Sequence, residues 1–580
     1  MESAPFTMSA TAQSARTTPT AEIDRALAVV KEHAREWARL PLAEKRALLL
    51  ALVPAITAVA DEWVEAGCRA KGIAGDAPIS GEEWLAGPIT TLRNVRLLAD
   101  TLGYMLEHGR PPLGRGAHTR ADGRVEVDVF PTSGLEKVVF AGFTCKVLLQ
   151  PGLDERTAHD KQASFYWRKN PEGRVALVLG AGNVSSIPPM DAFYKLFVDG
   201  STCLIKMNPV NEWVGPILER ALAPLVAKGY LRIVYGGGDV GAYLTTHPDV
   251  DDIHITGSDK THDLIVWGPP GAERDRRKAA GETLLGPNKS ITSELGNVSP
   301  VAVVPAAYTD AELWFQARSV ASMVVNNASF NCNAGKMLIT AKGWPQYDKF
   351  IALVGKALSE VPTRRAYYPG ARDRYEDLTR GHHVEKFGKA LVDSLEWALI
   401  RDVDSSDRSE RLFTTEPFCG LLSETRLGST DPAQFLDEVT SFCNERLWGT
   451  LNATIVIHPR TEAEPAAAAA LDRAILALRY GSVAINHWPA LVYGFVSPPW
   501  GGHPSATLAD IQSGLGWVHN TFMLEGIEKS VVRGPLVAAP KPAWFYDNKK
   551  THELGRRMLA FEASPSFFKV PGLAVTALGG

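Results

Sequence analysis

Arg174-Val175-Ala176-Leu177-Val178-Leu179-Gly180-Ala181-Gly182-Asn183 is the stretch from which the fold is read. Its apolar residues run without alternation, as in a strand covered on both faces of a parallel sheet. Small residues follow, and Ser185-Ser186-Ile187-Pro188-Pro189 reads as the entry to a helix. Small residues between a strand's carboxyl end and a helix form the usual ligand crevice of an open α/β sheet. Upstream, Asn170-Pro171-Glu172-Gly173 is a turn signal. Downstream the alternation repeats. Strands are predicted at Thr202–Lys206, Leu231–Tyr235 and Asp252–Thr256, and helices at Trp213–Lys228 and Asp239–Thr246. The pattern predicts a doubly wound parallel sheet.

A second α/β block is predicted further on. Ser290–Gly296 leads to Pro300–Val304, then a helix over Asp310–Val325 and a strand over Met337–Thr340. Between these last two lies Ala328-Ser329-Phe330-Asn331-Cys332-Asn333-Ala334-Gly335-Lys336, a loop pinned at both ends, a common place for a nucleophile. A free cysteine is more often a small buried hydrophobe, so the loop gains its meaning from other segments. Further strands are predicted at Leu451–Ile457 and Ser482–Asn486, with helices at Phe435–Asn444 and Ala466–Leu478. Amphipathic helices are expected over 21–70. Val125–Phe130 alternates as a strand, and 137–150 reads as one or two more. Residues 269–287 look like a surface insertion, 362–407 like a mixed linker, and 520–580 like an irregular tail.

Composition narrows the class. The chain has 580 residues, 45% hydrophobic and 22% charged, which is ordinary for a globular enzyme of several domains. A net charge of -4 gives no basic footprint for nucleic acid or an anionic membrane. Cys68, Cys145, Cys203, Cys332, Cys419 and Cys443 are scattered with no C-x-x-C pair. That disfavours a structural metal or a disulfide framework and fits a reducing cytoplasm. No signal peptide or bilayer-spanning run is read, and residues 1–20, rich in Ser, Thr and Ala, read as a disordered lead-in.

Nine segments taken in order resemble the aldehyde dehydrogenase superfamily. They are Asn170–Val175, Gly182-Asn183, Ile205-Lys206, His247–Val250, Ile255–Ser258, Ser293–Gly296, Cys332–Gly335, Glu416–Gly420 and Gly481–Asn486. The resemblance implies an α/β fold with a Rossmann-type cofactor domain, an α/β catalytic domain and a small β oligomerisation arm. It divides the chain into 21–123 with 166–292 for NAD(P) binding, 293–519 for catalysis, and 124–165 with 520–580 as arm and tail. It implies Cys332 as the nucleophile, Glu294 as the base for hydrolysis and Asn183 as the oxyanion donor. Lys206, Gly257, Ser258, Leu295, Glu416 and Phe418 would hold NAD or NADP. A small-molecule aldehyde is the implied substrate and a homodimer or homotetramer the implied assembly. The chemistry agrees with the residues: a thiolate is a strong nucleophile near neutral pH, and a thioester divides one hard step into two.

Three departures stand out. Ala181-Gly182 occupy the place of the family's Pro-Trp, Thr261-His262-Asp263 that of its second glycine, and Pro209 that of a ribose-binding Glu. The last removes a group that repels a 2′-phosphate, so NADP is admitted beside NAD. One alternative is an acyl-CoA reductase or acylating dehydrogenase that uses CoA in place of water, which would not need Glu294. Another is a non-catalytic binding protein of the same fold. Trp314, Phe330, Trp488, Tyr493 and Phe495 are candidates for an apolar tunnel suited to an aromatic or long-chain aldehyde.

Overall fold

A computed structural model describes residues 14–580. Residues 1–13 of the lead-in lie outside the described residues. The remainder of it is fixed: Thr18 exchanges two hydrogen bonds with the backbone of Tyr235, at 3.1 and 2.9 Å.

The strand Val175–Leu179 is the centre of a five-stranded, all-parallel sheet. Its order is Leu231–Val234, Thr202–Lys206, Val175–Leu179, Asp252–Gly257, Ser290–Leu295. The chain order reverses beside Val175–Leu179, the topological switch point at which such sheets bind ligands. Register brings the carboxyl ends level. Leu179 pairs with Lys206, Thr256 with Glu294, and Gly257 with Leu295. Helix Thr20–Arg39 covers one face through Ile23, Leu27 and Val30.

The second sheet has eleven strands. Its parallel centre runs Ile527–Arg533, Ser482–Ile485, Asn452–Val456, Pro300–Val303, Met337–Ala341, Leu421–Leu427, Trp397–Val403. Antiparallel strands flank it, with Val384–Phe387 at one edge. At the other, Thr144–Leu149, Val125–Phe130 and Ala117–Thr119 follow in turn. Val125–Phe130, the expected arm strand, is thus enclosed by two neighbours, and Ala117–Thr119 is the edge.

Several expectations are corrected. The stretch 137–150 is not all strand: Ser133 caps a short helix, Gly134–Val139, before the strand Thr144–Leu149 begins. The tail is not irregular. Ile527–Arg533 lies inside the large sheet, and helices Thr551–Ala563 and Val570–Leu578 follow. The region 362–407 contains helix Ala371–Thr379 and strands Val384–Phe387 and Trp397–Val403. The insertion 269–287 carries a helix, Ala272–Ala280, with no buried residue. A run long and apolar enough to span a bilayer does exist, the 30-residue helix Leu42–Lys71. It packs along Thr90–His108 and buries Leu49, Leu52, Ile56 and Trp63.

Candidate active site

Two sheets deliver their functional groups to one place. Glu294 sits near the end of Ser290–Leu295, buried among the carboxyl ends of the parallel strands. Its Oε1 has no hydrogen-bond partner, and neither has the buried indole Nε1 of Trp500. Burial lifts the Glu294 carboxyl to about 8, and the charge of Asp191 adds to the rise. The nearby Cys332 thiol and Trp500 indole oppose it. Asp191 is itself buried, accepting from Thr256 Oγ1 at 2.9 Å with His254 Nε2 at 3.4 Å.

Cys332 is half-buried on its loop. Burial, then the negative charge of Glu294, pushes its thiol well above the ordinary value. The loop's path is fixed by a left-handed turn. Asn327, Ala328 and Ser329 have φ of 52°, 54° and 70°, which non-glycine residues rarely adopt. The Asn327 amide holds this turn. Its Nδ2 donates to the carbonyls of Asn183 and Phe330 and to Asn331 Oδ1, at 3.0, 3.2 and 3.0 Å. Its Oδ1 accepts from Lys71 Nζ at 3.0 Å and from Tyr367 Oη at 2.9 Å. Lys71 is a buried cation paired with Glu83 at 2.7 Å. Beyond the cysteine, Trp488 Nε1 donates to the Asn333 carbonyl at 2.6 Å. Ser299 Oγ donates to the Cys332 carbonyl at 3.2 Å.

Asn183 stands on the switch-point turn, buried, one block of the fold meeting the other. Its Nδ2 donates to the Phe330 carbonyl at 2.9 Å, so one of its two amide hydrogens is engaged. Gly182 before it leaves no room for a side chain, since a Cβ would strike Asn208 and Val210. A cavity of about 140 Å³ opens there, lined by Gly182, Val210, Trp213, Lys71, Tyr367 and Arg365.

The residues expected to hold a dinucleotide fit that task unevenly. Lys206 ends its strand largely buried, and its Nζ has no hydrogen bond or ion pair among the described residues. Burial lowers its ammonium to about 8, against the pull of Asp239 and Glu212. Such an unspent donor in the crevice suits a ribose hydroxyl. Glu416 lies directly over Gly296, where a Cβ would collide with its carboxylate. It forms an ion pair with Lys336 and is thereby already engaged. Phe418, with φ of 43°, packs on Tyr368 and Phe330 at ring distances of 4.9 and 5.8 Å. Leu295 is buried, its N–H donating to the Ser513 carbonyl at 2.9 Å. Gly257 ends its strand, and Ser258 caps helix Asp259–Trp267 through the Thr261 N–H at 3.2 Å. His262 is fully buried in that helix.

The five aromatics expected to line an apolar tunnel divide between two clusters, Trp314, Phe330 and Trp488 in one and Tyr493 and Phe495 in the other. Phe330 belongs to the cluster with Tyr367 and Tyr368. Phe495 stacks on Phe130 at 3.6 Å, and Trp314 lies beside Arg318 and Lys356. Trp488 supports the loop, and Tyr493, bonded to Ser186 Oγ at 2.8 Å, lies near Asp191, Glu294 and Cys332. Sequence reasoning also passed over Lys71, Asn327, Asp191 and Trp500. It passed over Gly236-Gly237-Gly238-Asp239-Val240-Gly241, which fits the G-x-G-x-x-G spacing between strand Leu231–Val234 and helix Gly238–Thr246. That motif lies on an edge strand, one strand removed from Val175–Leu179.

Residues 139–371 match the aldehyde dehydrogenase family. An aldehyde dehydrogenase from Enchytraeus buchholzi is 29% identical over 203 residues, 34% of this chain and 35% of that protein. The alignments thus span about a third of the length of the curated relatives. Among solved structures, the NADP-dependent glyceraldehyde-3-phosphate dehydrogenase of Bacillus halodurans C-125, complexed with NADP, superposes with a TM-score of 0.58 at 18% identity. It covers 89% of this chain and 92% of its own. An indole-3-acetaldehyde dehydrogenase in complex with NAD+ gives 0.58 at 18%, over 90% of each chain.

Proposed function

We propose that this chain, which belongs to the aldehyde dehydrogenase superfamily, oxidises an aldehyde to a carboxylic acid with NAD or NADP. The observation that carries the reading is the buried Glu294, its Oε1 without a hydrogen-bond partner, beside Cys332 where the two sheets meet. Glu294 takes the thiol proton and the sulfur adds to the aldehyde carbon. The second amide hydrogen of Asn183 and the N–H of Cys332 hold the developing oxyanion, donors of a kind whose removal costs about 10²–10³ in rate. NAD or NADP, when bound, would supply the hydride acceptor that this oxidation needs. Lys206 and Glu416 would hold its riboses, with Gly257, Ser258, Leu295 and Phe418 around it. Glu294 gives the thiol proton up to solvent before the second step; water then attacks the thioester while Glu294 takes its proton, and the acid departs as that proton returns to the expelled thiolate.

In this reading 21–123 with 166–292 carries the cofactor and 293–519 the nucleophile. A homodimer or homotetramer would form along the open sheet edge at Ala117–Thr119. All six cysteines are unpaired, which suits a reducing compartment.

Cys332→Ala is expected to abolish NAD(P) reduction by aldehydes while cofactor binding, followed by tryptophan fluorescence, persists. Turnover retained in that variant rules the mechanism out. Adding CoA to the wild-type assay decides the acyl acceptor. Acid is the expected product, and acyl-CoA would shift the assignment to the acylating alternative.

A further inference from the structure

Lys336 is a buried lysine whose ammonium makes three contacts. It donates to the Cys332 carbonyl at 2.9 Å, to the Asn297 carbonyl at 3.0 Å, and to Glu416 Oε1 in an ion pair. Among the described residues, the carboxylate it meets is thus one that the proposed function assigns to the cofactor. Both demands fall on the same oxygen-bearing group. A carboxylate pressed over Gly296 has little freedom to satisfy both fully.

We propose, resting on that functional reading, that Lys336 is a positioning residue that couples the cofactor crevice to Cys332. With the crevice open, Glu416 neutralises Lys336. When ribose hydroxyls engage Glu416, its hold on the ammonium loosens and the uncompensated positive charge acts on the sulfur four residues away. The thiol proton passes to Glu294 Oε1, which has no other partner, and the thiolate is left facing the aldehyde.

The groups around the sulfur set the signs. Glu294 on strand Ser290–Leu295 and Glu416 on the segment before Leu421 both disfavour the thiolate, and Lys336 favours it. Tyr493 on helix Ala490–Phe495 also faces the sulfur, and Asp191 on helix Ile187–Phe193 stands behind Glu294. Weakening the Glu416 contribution therefore lowers the midpoint of thiol ionisation. Removing Lys336 raises it and deletes the link to the crevice. A charge within about 6 Å at partial burial is worth on the order of one to two pH units.

The test measures iodoacetamide labelling of Cys332 in the full chain against pH, by mass spectrometry of its peptide. Wild type, Lys336→Met and Glu416→Gln are compared with and without saturating NAD+ or NADP+. In wild type the cofactor is expected to lower the labelling midpoint by about one unit, roughly tenfold in rate below the midpoint. Glu416→Gln is expected to show a lowered midpoint with no cofactor present. Lys336→Met is expected to bind cofactor, by fluorescence, yet show a raised midpoint that cofactor no longer moves. A full cofactor-induced fall in Lys336→Met, or an unchanged midpoint in cofactor-free Glu416→Gln, overturns the coupling. These outcomes leave the functional reading untouched, which stands or falls separately on aldehyde turnover by Cys332→Ala.

Discussion

Glu294 must be a base in one step and uncharged enough to sit beside a sulfur in another. Its environment sets that balance. Burial disfavours its charged form and the Asp191 carboxylate adds repulsion, so the group titrates at about 8 rather than near its ordinary 4.5. A base with a midpoint near working pH is well matched to proton transfer. Hydrolysis of the Cys332 thioester is therefore expected to rise with pH and level off above about 8. Asp191→Asn removes the repulsive charge and is expected to move that rise to lower pH, as read from the pH dependence of single-turnover deacylation. Glu294→Gln is expected to lose the rise and slow the step by about 10²–10⁴-fold. The acyl-enzyme would then persist and appear as added mass on Cys332. A normal deacylation rate in that variant would assign the base elsewhere.

At the scale of the element, the cysteine loop is a strained turn held by one amide. Three successive non-glycine residues in the left-handed region cost on the order of 1–3 kcal/mol each. Five side-chain hydrogen bonds converge on Asn327 to hold them. Asn327→Ala leaves the buried Lys71 ammonium and Tyr367 hydroxyl short of a partner. It is expected to lower stability by about 2–4 kcal/mol in urea unfolding and to reduce kcat by loosening both Asn183 and Cys332. Ser329→Gly relieves one strained residue and is expected to leave stability within about 1 kcal/mol of wild type. The cysteine loop was legible in sequence only through the other segments that accompany it, because a free cysteine alone reads more often as a small buried hydrophobe. The strands of the five-stranded sheet were legible because an unbroken apolar run has a short list of homes. Asn327 was not, since an asparagine after a helix reads as a turn residue. Lys71 was not, since a lysine ending a helix reads as solvated. Val138-Val139 misled in the other direction. Their β-branching suggests strand, but Ser133 accepts from the Glu136 N–H and starts a helix there.

Across the whole molecule, the tail returns to the beginning of the chain and is latched there by charge. Glu562 on helix Thr551–Ala563 is fully buried between Arg93 and Arg96 of helix Thr90–His108, at 2.8 and 2.7 Å. Glu136 of helix Gly134–Val139 joins both arginines, at 2.7 and 3.1 Å. Arg93 Nε also donates to the Phe495 carbonyl at 2.9 Å, at the end of the helix that carries Tyr493. The latch thus reaches from the tail to the rim of the candidate site. The sequence hid it, because its four charges lie on three helices up to 469 residues apart. Breaking one partner of a buried network strands the others, so Glu562→Ala is expected to cost about 3–5 kcal/mol. Burial would raise the Glu136 carboxyl, but the Arg93 charge and hydrogen bonds prevail and hold it at about 2. Its stabilising contribution is accordingly full above about pH 4.5 and is lost as pH falls towards 2. Acid is therefore expected to release the C-terminal helices, visible as hydrogen exchange in 551–578 rising below about pH 4.5 before the two sheets exchange. Arg93→Met combined with Arg96→Met would reverse the shift of Glu136, and in that variant the acid-dependent rise in exchange is expected to disappear.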